Sequence, residues 1–151
     1  MITEVHSETE MKEFGARLGA LLRGGETIEL IGDVGAGKTT LTKGIARGMS
    51  VDEDVQSPSF TISRVYEAAQ GLELAHYDFY RLHDAGIMAN ELHETMHDPL
   101  IVTIIEWADI IKGILPEDHI SIRLTSPAET TRRIEVVADG ASSQLLLEQM
   151  V

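Results

Sequence analysis

The sequence contains no cysteine, so disulfides, thiolate metal sites and a cysteine nucleophile are all excluded. Basic residues are scarce, because 12 lysines and arginines stand against 25 aspartates and glutamates, for a formal net charge of −13. Such a surface repels naked phosphate backbones. Contact with nucleic acid is therefore expected only locally or indirectly, through a partner protein that supplies positive charge.

Long apolar runs are missing as well. No segment approaches membrane-spanning length, and residues 1–10 are acidic where a signal peptide would begin with basic residues. Together with the absence of cysteine, this predicts a soluble cytoplasmic protein with no membrane contact. The 151 residues, 43% of them apolar, suffice for one α/β domain spanning residues 1–151 but are few for a separate lid or substrate domain.

A phosphate-binding loop is the most specific feature of the chain. Residues 32–39 (GDVGAGKT) match G-x-x-x-x-G-K-[ST] and lie between a predicted strand at 26–31 and a predicted helix at 39–49. The glycines let the backbone curl its N–H groups around one anion, and the start of the helix adds unpaired donors. Lys38 would place its charge on the outer phosphates, and Thr39 would offer its hydroxyl to Mg²⁺. The pattern predicts a polyphosphate ligand.

The rest of the chain alternates between helical and strand patterns. A capping box of Ser7 and Glu10 predicts a first helix, which Gly24-Gly25 ends. Residues 48–60 lack periodicity and predict a loop that responds to nucleotide. The other predicted elements are a strand hairpin at 61–68 and 72–77, a helix at 85–93, a buried strand at 100–105, a helical turn at 109–114, strands at 119–125 and 132–138 across a Ser126-Pro127 turn, and a helix at 142–150.

Two acidic residues follow predicted strands. A nucleotide on the loop needs a carboxylate at a neighbouring strand end, to hold Mg²⁺ or orient the attacking group. Glu106 follows the apolar run LIVTII, and Asp78 follows the strand at 72–77. The residues alone leave open that Glu106 is an ordinary helix-start carboxylate, and that Asp78 is a helix cap or a partner for Arg81. Trp107 is either core packing or a protein contact.

Four segments in order resemble a known family. They are GDVGAGKTTLTKG at 32–44, SPSFT at 57–61, HYDFYRL at 76–82 and EWAD at 106–109. In order and spacing they resemble the bacterial TsaE (formerly YjeE) ATPases, over about residues 7–138. The resemblance implies an α/β fold, a single-domain P-loop NTPase with a central mixed β-sheet flanked by helices. It also implies an ATPase that acts on the TsaB and TsaD pair in threonylcarbamoyl modification of the adenosine beside the anticodon of certain tRNAs.

The same resemblance implies a set of site residues. ATP would contact the loop, the start of the helix and an arginine of the late hairpin: Gly32, Asp33, Val34, Gly35, Ala36, Gly37, Lys38, Thr39, Thr40 and Arg132. Mg²⁺ would be held by Thr39 and Glu106, and catalysis would depend on Lys38, Asp78 and Glu106. Residues 57–61 would be a switch-like loop.

The resemblance also implies that the N-terminal segment extends the nucleotide site, through Ser7 or Thr9. The chain departs from the family pattern at two places. The family's SPTF reads Ser57-Pro58-Ser59-Phe60, which keeps a hydroxyl, and Val65 stands where an acid usually precedes the tyrosine.

Three other activities were weighed against this interpretation. Residues 93–97 (HETMH) satisfy the zinc-protease pattern H-E-x-x-H, but Asp98-Pro99 follows at once and no third-ligand pattern lies downstream. A small-molecule kinase is the alternative that stays open, although between Ile110 and Thr131 the only basic residues are Lys112 and Arg123 and no lid-length segment is present. A GTPase is disfavoured because no Asn-Lys-x-Asp occurs.

Overall fold

The computed structural model describes residues 1–58, 61–84, 86 and 88–151. The strands of these residues form one mixed sheet. They are β1 (Ile2–Val5), β2 (Thr27–Ile31), β3 (Ser63–Glu67), β4 (Glu73–Asp78), β5 (Ile101–Glu106), β6 (Ile120–Ala128) and β7 (Thr131–Ala138). Their order across the sheet is β1-β7-β6-β2-β5-β4-β3.

The centre of the sheet is parallel. β2 pairs in parallel with β5 and β6, and β5 pairs in parallel with β4, whereas β3, β7 and β1 are antiparallel to their neighbours. Five of the six residues of β5 are buried, as expected for a strand covered on both faces. Because parallel strands end at the same edge, the ends of β2, β4 and β5 meet, and Asp78 is the register partner of Glu106.

Helices cover both faces of the sheet. They are α1 (Glu8–Leu21), α2 (Lys38–Gly48), α3 (Met88–Met96) and α4 (Ala141–Glu148), with 3₁₀ segments at Ala69–Gly71 and Ala108–Ile114. Residues of α1, α2 and α4 share one buried apolar cluster with Ile28 and Ile104. Residues of α3 and the second 3₁₀ segment share another with Tyr77 and Ile105, from the opposite side.

The first helix begins as its sequence predicts. Ser7 Oγ accepts a hydrogen bond from the Glu10 amide at 3.1 Å, while the Glu10 carboxylate accepts from the His6 amide at 2.6 Å. The reciprocal bond of the capping box therefore goes to the residue before the cap. This places the His6–Glu8 turn beside the phosphate-loop helix, because α1 and α2 pack closely.

Several predicted boundaries were wrong. β1 was not predicted at all, although it forms an edge strand on β7. The Ser126-Pro127 turn was wrong too, since β6 continues through both residues to Ala128, across a register shift between Thr125 and Ala128. The turn lies instead at Glu129 and Thr130, which brings those residues to the loop edge of the sheet.

Two predictions reach beyond the described residues. The helix predicted at 85–93 runs from Met88 to Met96, while Ala85 and Ile87 lie outside the described residues. In the loop at 57–61, Ser59 and Phe60 lie outside them as well. None of the helices in the described parts of the chain has the length and apolar character needed to cross a membrane.

Candidate functional site

The glycine-rich loop has the backbone that its sequence predicts. Gly35 and Gly37 have positive φ angles of 85° and 108°, which side chains disfavour. Gly37 is the N-cap of α2 and has no side chain to bond the first amides of that helix. Those amides and the positive end of the helix dipole therefore face the loop, as a phosphate-binding cradle requires.

Lys38 is buried and held by three groups of the site. Its Nζ donates to the Gly32 carbonyl at 2.5 Å and lies 3.9 Å from Glu106 Oε1. The same Nζ lies 4.3 Å from the centroid of the Trp107 ring, within the range of a cation–π contact. The ammonium thus bridges the loop and the end of β5.

The two predicted carboxylates are brought together at the ends of β4 and β5. Glu106 and Asp78 are 3% and 4% exposed. The Phe79 amide donates to the Glu106 carbonyl, and the Tyr80 amide donates to Asp78 Oδ1 at 2.9 Å. Their side chains line one cavity of about 340 Å³ together with Lys38 and Thr39. Cation, hydroxyl and carboxylates therefore surround a single space.

A second cavity continues from the first. It has a volume of about 280 Å³, shares Glu8, Gly35, Gly37 and Thr40 with the first, and lies between the start of α1 and the β6–β7 turn. Arg132 and Ser7 line it, whereas Thr9 does not. Arg132 Nη1 donates to backbone carbonyls of its own turn, those of Ala128, Glu129 and Thr131. Ser7 and Arg132, for which the family resemblance implies contacts with the nucleotide, therefore line the same cavity.

The remaining predicted loop residues lie around these two cavities. Val34 is exposed on the rim of the first cavity, and Ala36 is buried beneath the loop. The Ala36 amide donates to the Asp33 carbonyl, which closes the turn. Gly32 and Asp33 instead line a third cavity of about 360 Å³, which shares Lys38 and Trp107 with the first cavity. Gly32 contributes its carbonyl to Lys38 instead.

The donor set at this site fits Mg²⁺. Thr39 and Glu106 offer hydroxyl and carboxylate oxygen, which suit a hard cation. Among the described residues, no group of three or more His, Cys, Asp or Glu side chains could hold a metal by itself. Mg²⁺ does not require such a group, because in phosphate sites one or two protein ligands act together with phosphate oxygens and water.

The competing patterns gain no support from the structure. His93 and His97 stack with ring centroids 4.2 Å apart, and α3 ends at Met96, before the second histidine. His97 Nδ1 is bonded to the His93 carbonyl at 2.8 Å. The chain between Ile110 and Thr131, where a kinase lid would be needed, forms part of a 3₁₀ segment and β6.

Sequence reasoning missed several residues of the site. His6, Glu8 and Met11 line the second cavity, because α1 lies over the loop. No role in the site was predicted for His76, yet it is fully buried and its Nε2 lies 2.6 Å from Glu106 Oε2. Its alternation with Asp78 along β4 was the one signal that could have shown it.

Comparison with known proteins identifies the family. Residues 5–134 match the family model for the threonylcarbamoyl adenosine biosynthesis protein TsaE. The tRNA threonylcarbamoyladenosine biosynthesis protein TsaE of Bacillus subtilis is 35% identical over 141 residues, covering 93% of this chain and 87% of the relative. The protein of the same name from Streptomyces coelicolor is 38% identical over 138 residues, covering 86% and 91%.

A solved structure agrees with these relatives. The crystal structure of YdiB from Bacillus subtilis superposes with a TM-score of 0.84 at 31% identity, covering 99% of this chain and 93% of that one. The prediction of an α/β P-loop NTPase fold with a mixed central sheet is thereby confirmed. A phosphate loop, two strand-end carboxylates and these matches over most of the sequence agree, and the chain belongs to the TsaE family of threonylcarbamoyl adenosine biosynthesis proteins.

Proposed function

We propose that this protein binds and hydrolyses MgATP in the biosynthesis of threonylcarbamoyladenosine on tRNA, acting on homologues of TsaB and TsaD. The observation that carries the proposal is the single cavity lined by Lys38, Thr39, Asp78 and Glu106. The names of its relatives support the part of the proposal that concerns threonylcarbamoyladenosine biosynthesis. The residues that line the cavity support the part that concerns MgATP.

The nucleotide would occupy both cavities. Triphosphate lies in the cradle of the glycine loop, where amides, helix dipole and the Lys38 ammonium oppose its charge. Adenosine lies in the adjoining cavity, against Met11 and within reach of Arg132. Thr40 lines both cavities and lies at their junction.

The metal would be held by Thr39 and Glu106. When bound, Mg²⁺ neutralises charge that develops on the transferring phosphoryl group. Asp78 lies beside Glu106 in the sheet register, and its role is to orient the attacking water or to sense the γ-phosphate. Lys38 leaves the Gly32 carbonyl to bond the phosphates, because an anion offers it a stronger, charge-assisted bond.

The last part of the proposal concerns the partner proteins. Hydrolysis removes the γ-phosphate, which Ser57 at the wall of the phosphate cavity senses together with Asp78. The change then alters how this subunit docks on the TsaB and TsaD homologues. Turnover by the isolated protein is slow, since the partners complete the arrangement around the nucleotide.

Calorimetry with MgATP tests the binding step. Lys38→Ala should weaken affinity by about 100-fold, because it removes a charge-assisted contact from each outer phosphate. Lys43→Ala, on the same helix but outside both cavities, is the matched control and should bind normally. Undiminished binding by Lys38→Ala would refute the assignment of the cradle.

Phosphate release in the reconstituted complex tests hydrolysis. Glu106→Gln and Asp78→Asn should lower the rate by about 100-fold, the scale of one positioned carboxylate, while changing MgATP affinity much less. The partners are tested separately by pull-down of the TsaB and TsaD homologues with and without ATP. Wild-type turnover by Glu106→Gln would show that Glu106 has no part in the reaction.

A further inference from the structure

A buried histidine lies behind the carboxylate at the end of β5. His76 has no exposed surface, and its Nε2 lies 2.6 Å from Glu106 Oε2. The other carboxylate oxygen, Oε1, lies 3.9 Å from Lys38 Nζ. The two oxygens of Glu106 therefore have different neighbours, since one lies beside the buried imidazole and the other beside the Lys38 ammonium, which lines the phosphate cavity.

The sheet register explains this contact. His76 and Asp78 are alternate residues of β4 and point to the same face, and Asp78 is the register partner of Glu106. That face is the one covered by α1 and α2, where the phosphate loop lies. A histidine two residues before Asp78 is thus placed directly behind the Glu106 side chain.

The hydrogen bonding of His76 is one-sided. Among the described residues, none bonds its Nδ1, although the atom is buried. When Glu106 is ionised, the short contact requires a proton on Nε2, and in the neutral imidazole Nδ1 is then a buried acceptor. An apolar side chain would fill the same space without an unpaired nitrogen. What the imidazole adds is one donor aimed at Glu106.

We propose that His76 is a positioning residue, whose Nε2–H holds Glu106 Oε2 so that Oε1 stays directed at the phosphate cavity. Without that bond the carboxylate is free to close the 3.9 Å gap to the Lys38 ammonium and to form a tighter ion pair with it. This ion pair would then compete with phosphate binding by Lys38 and with metal binding by Glu106. The inference rests on the proposed function of Glu106.

Three substitutions separate positioning from packing. His76→Gln carries an amide nitrogen at the reach of Nε2, His76→Asn carries one that is too short, and His76→Leu carries none. We expect His76→Gln to keep phosphate release within about threefold of wild type in the reconstituted complex. His76→Asn and His76→Leu should lose about tenfold or more in kcat, the usual scale for partners of a metal-binding side chain, with MgATP affinity nearly unchanged.

The hydrogen bond between His76 and Glu106 can also be tested without measuring activity, by NMR. In the nucleotide-free protein, the ¹⁵N chemical shift of His76 Nε2 should be that of a protonated ring nitrogen. The substitution Glu106→Gln should change this shift. Circular dichroism and thermal melts establish that each variant folds, and if His76→Leu does not, the comparison of Gln with Asn decides. Equal losses in all three variants, wild-type rates in Asn and Leu, or an Nε2 signal indifferent to Glu106→Gln would each overturn the proposal.

The two proposals fail in different ways. If the wild-type protein neither binds nor hydrolyses MgATP, the proposed function fails, whereas the Nε2 signal still decides whether His76 holds Glu106. If the wild-type protein hydrolyses ATP and His76→Asn does so equally well, only the role of His76 fails.

Discussion

At the scale of single residues, one ammonium group connects the parts of the site. Lys38 contacts the loop carbonyl of Gly32, the carboxylate of Glu106 and the ring of Trp107. A triphosphate would replace at least the first of these contacts, because its charged oxygens are better acceptors than a carbonyl. The environment of Trp107 therefore depends on whether a nucleotide is bound.

Trp107 should report nucleotide binding by its fluorescence. It is the only tryptophan of the chain, so the emission has one source. Titration with MgATP should change the emission intensity in a saturable way, because the ammonium 4.3 Å from the ring is drawn to the phosphates. Lys38→Ala should abolish the response. An emission constant through a titration that calorimetry shows to be saturating would contradict this picture of Lys38.

Among the elements, the contact between α1 and α2 positions the phosphate loop. Glycines of both helices let the two backbones approach closely. A Cβ added at Gly19 would lie 2.1 Å from the Ile45 carbonyl oxygen, and one at Gly44 would lie 2.5 Å from that of Lys12. Since α2 begins at Lys38, any separation of these helices moves the cradle relative to the second cavity.

Gly19→Ala should destabilise the protein and weaken nucleotide binding. Overpacking against helix backbone lowers the free energy of unfolding by about 1–3 kcal/mol, which for a chain of this size lowers Tm by about 2–12 °C. Gly113→Ala is the matched control, because a Cβ there meets nothing within 4 Å, and it should change stability by less than about 0.5 kcal/mol. Thermal melts of both variants make the comparison. Equal stability of the two would show that α1 and α2 can separate without cost.

The last helix is held by an acid from another part of the chain. Asp118 accepts hydrogen bonds from the amides of Ser142 and Ser143 and from Ser143 Oγ, at the start of α4. Gly140, the N-cap, has no side chain to do so. The bond from Ser143 Oγ, with the two amide bonds, holds the pKa of the Asp118 carboxyl below its usual value of 3.8.

The stability that Asp118 supplies should depend on pH with a definite sign. Because its native pKa is lowered, the contribution is present above pH 3.8 and is lost as pH falls through the native value. Asp118→Asn keeps an oxygen acceptor and removes only the charge, so it should lower the free energy of unfolding by up to about 1 kcal/mol at pH 7, the scale of one charge at a helix N-terminus, less whatever solvent screening removes. In urea melts, the difference in free energy of unfolding between the wild type and Asp118→Asn should disappear at low pH. Glu117 is the exposed neighbour of Asp118, and Glu117→Gln should have the stability of the wild type at either pH.

For the molecule as a whole, the order of the strands assembles the site. The loop follows β2, Glu106 ends β5 and Asp78 ends β4, and these three strands are parallel neighbours. The start of β7 adds Arg132 from the other side, where β6 is the neighbour of both β2 and β7. Four distant parts of the sequence thus meet at one edge of the sheet.

The overall charge should keep this protein from binding tRNA alone. With a net charge of −13, a phosphate backbone is repelled over most of the surface. Fluorescence anisotropy of labelled tRNA at physiological salt should show no saturable binding below about 10⁻⁴ M, the weak limit of non-specific affinity. These values are compared with tRNA binding in the same assay when the TsaB and TsaD homologues are present. Tight binding by the isolated chain would mean that a local basic surface outweighs the total charge.

Local pattern was enough for much of this protein. The loop at 32–39 predicts its own fold and its class of ligand, because glycine conformations and helix donors act over a few residues. The strand before Glu106 was predicted from an apolar run, and the strand before Asp78 was predicted as one arm of a hairpin. β1 was not, since four residues on a sheet edge carry little periodicity and depend on pairing with β7.

The tertiary structure decided which of these pieces meet. Pattern alone left Glu106 and Asp78 as two separate acids, whereas strand register makes them neighbours and places His76 behind one of them. Likewise, the second cavity exists only because α1 and the β6–β7 turn lie on either side of the loop. Chain sequence determines what a short segment can bind, while contacts between distant segments depend on the packing of the whole sheet.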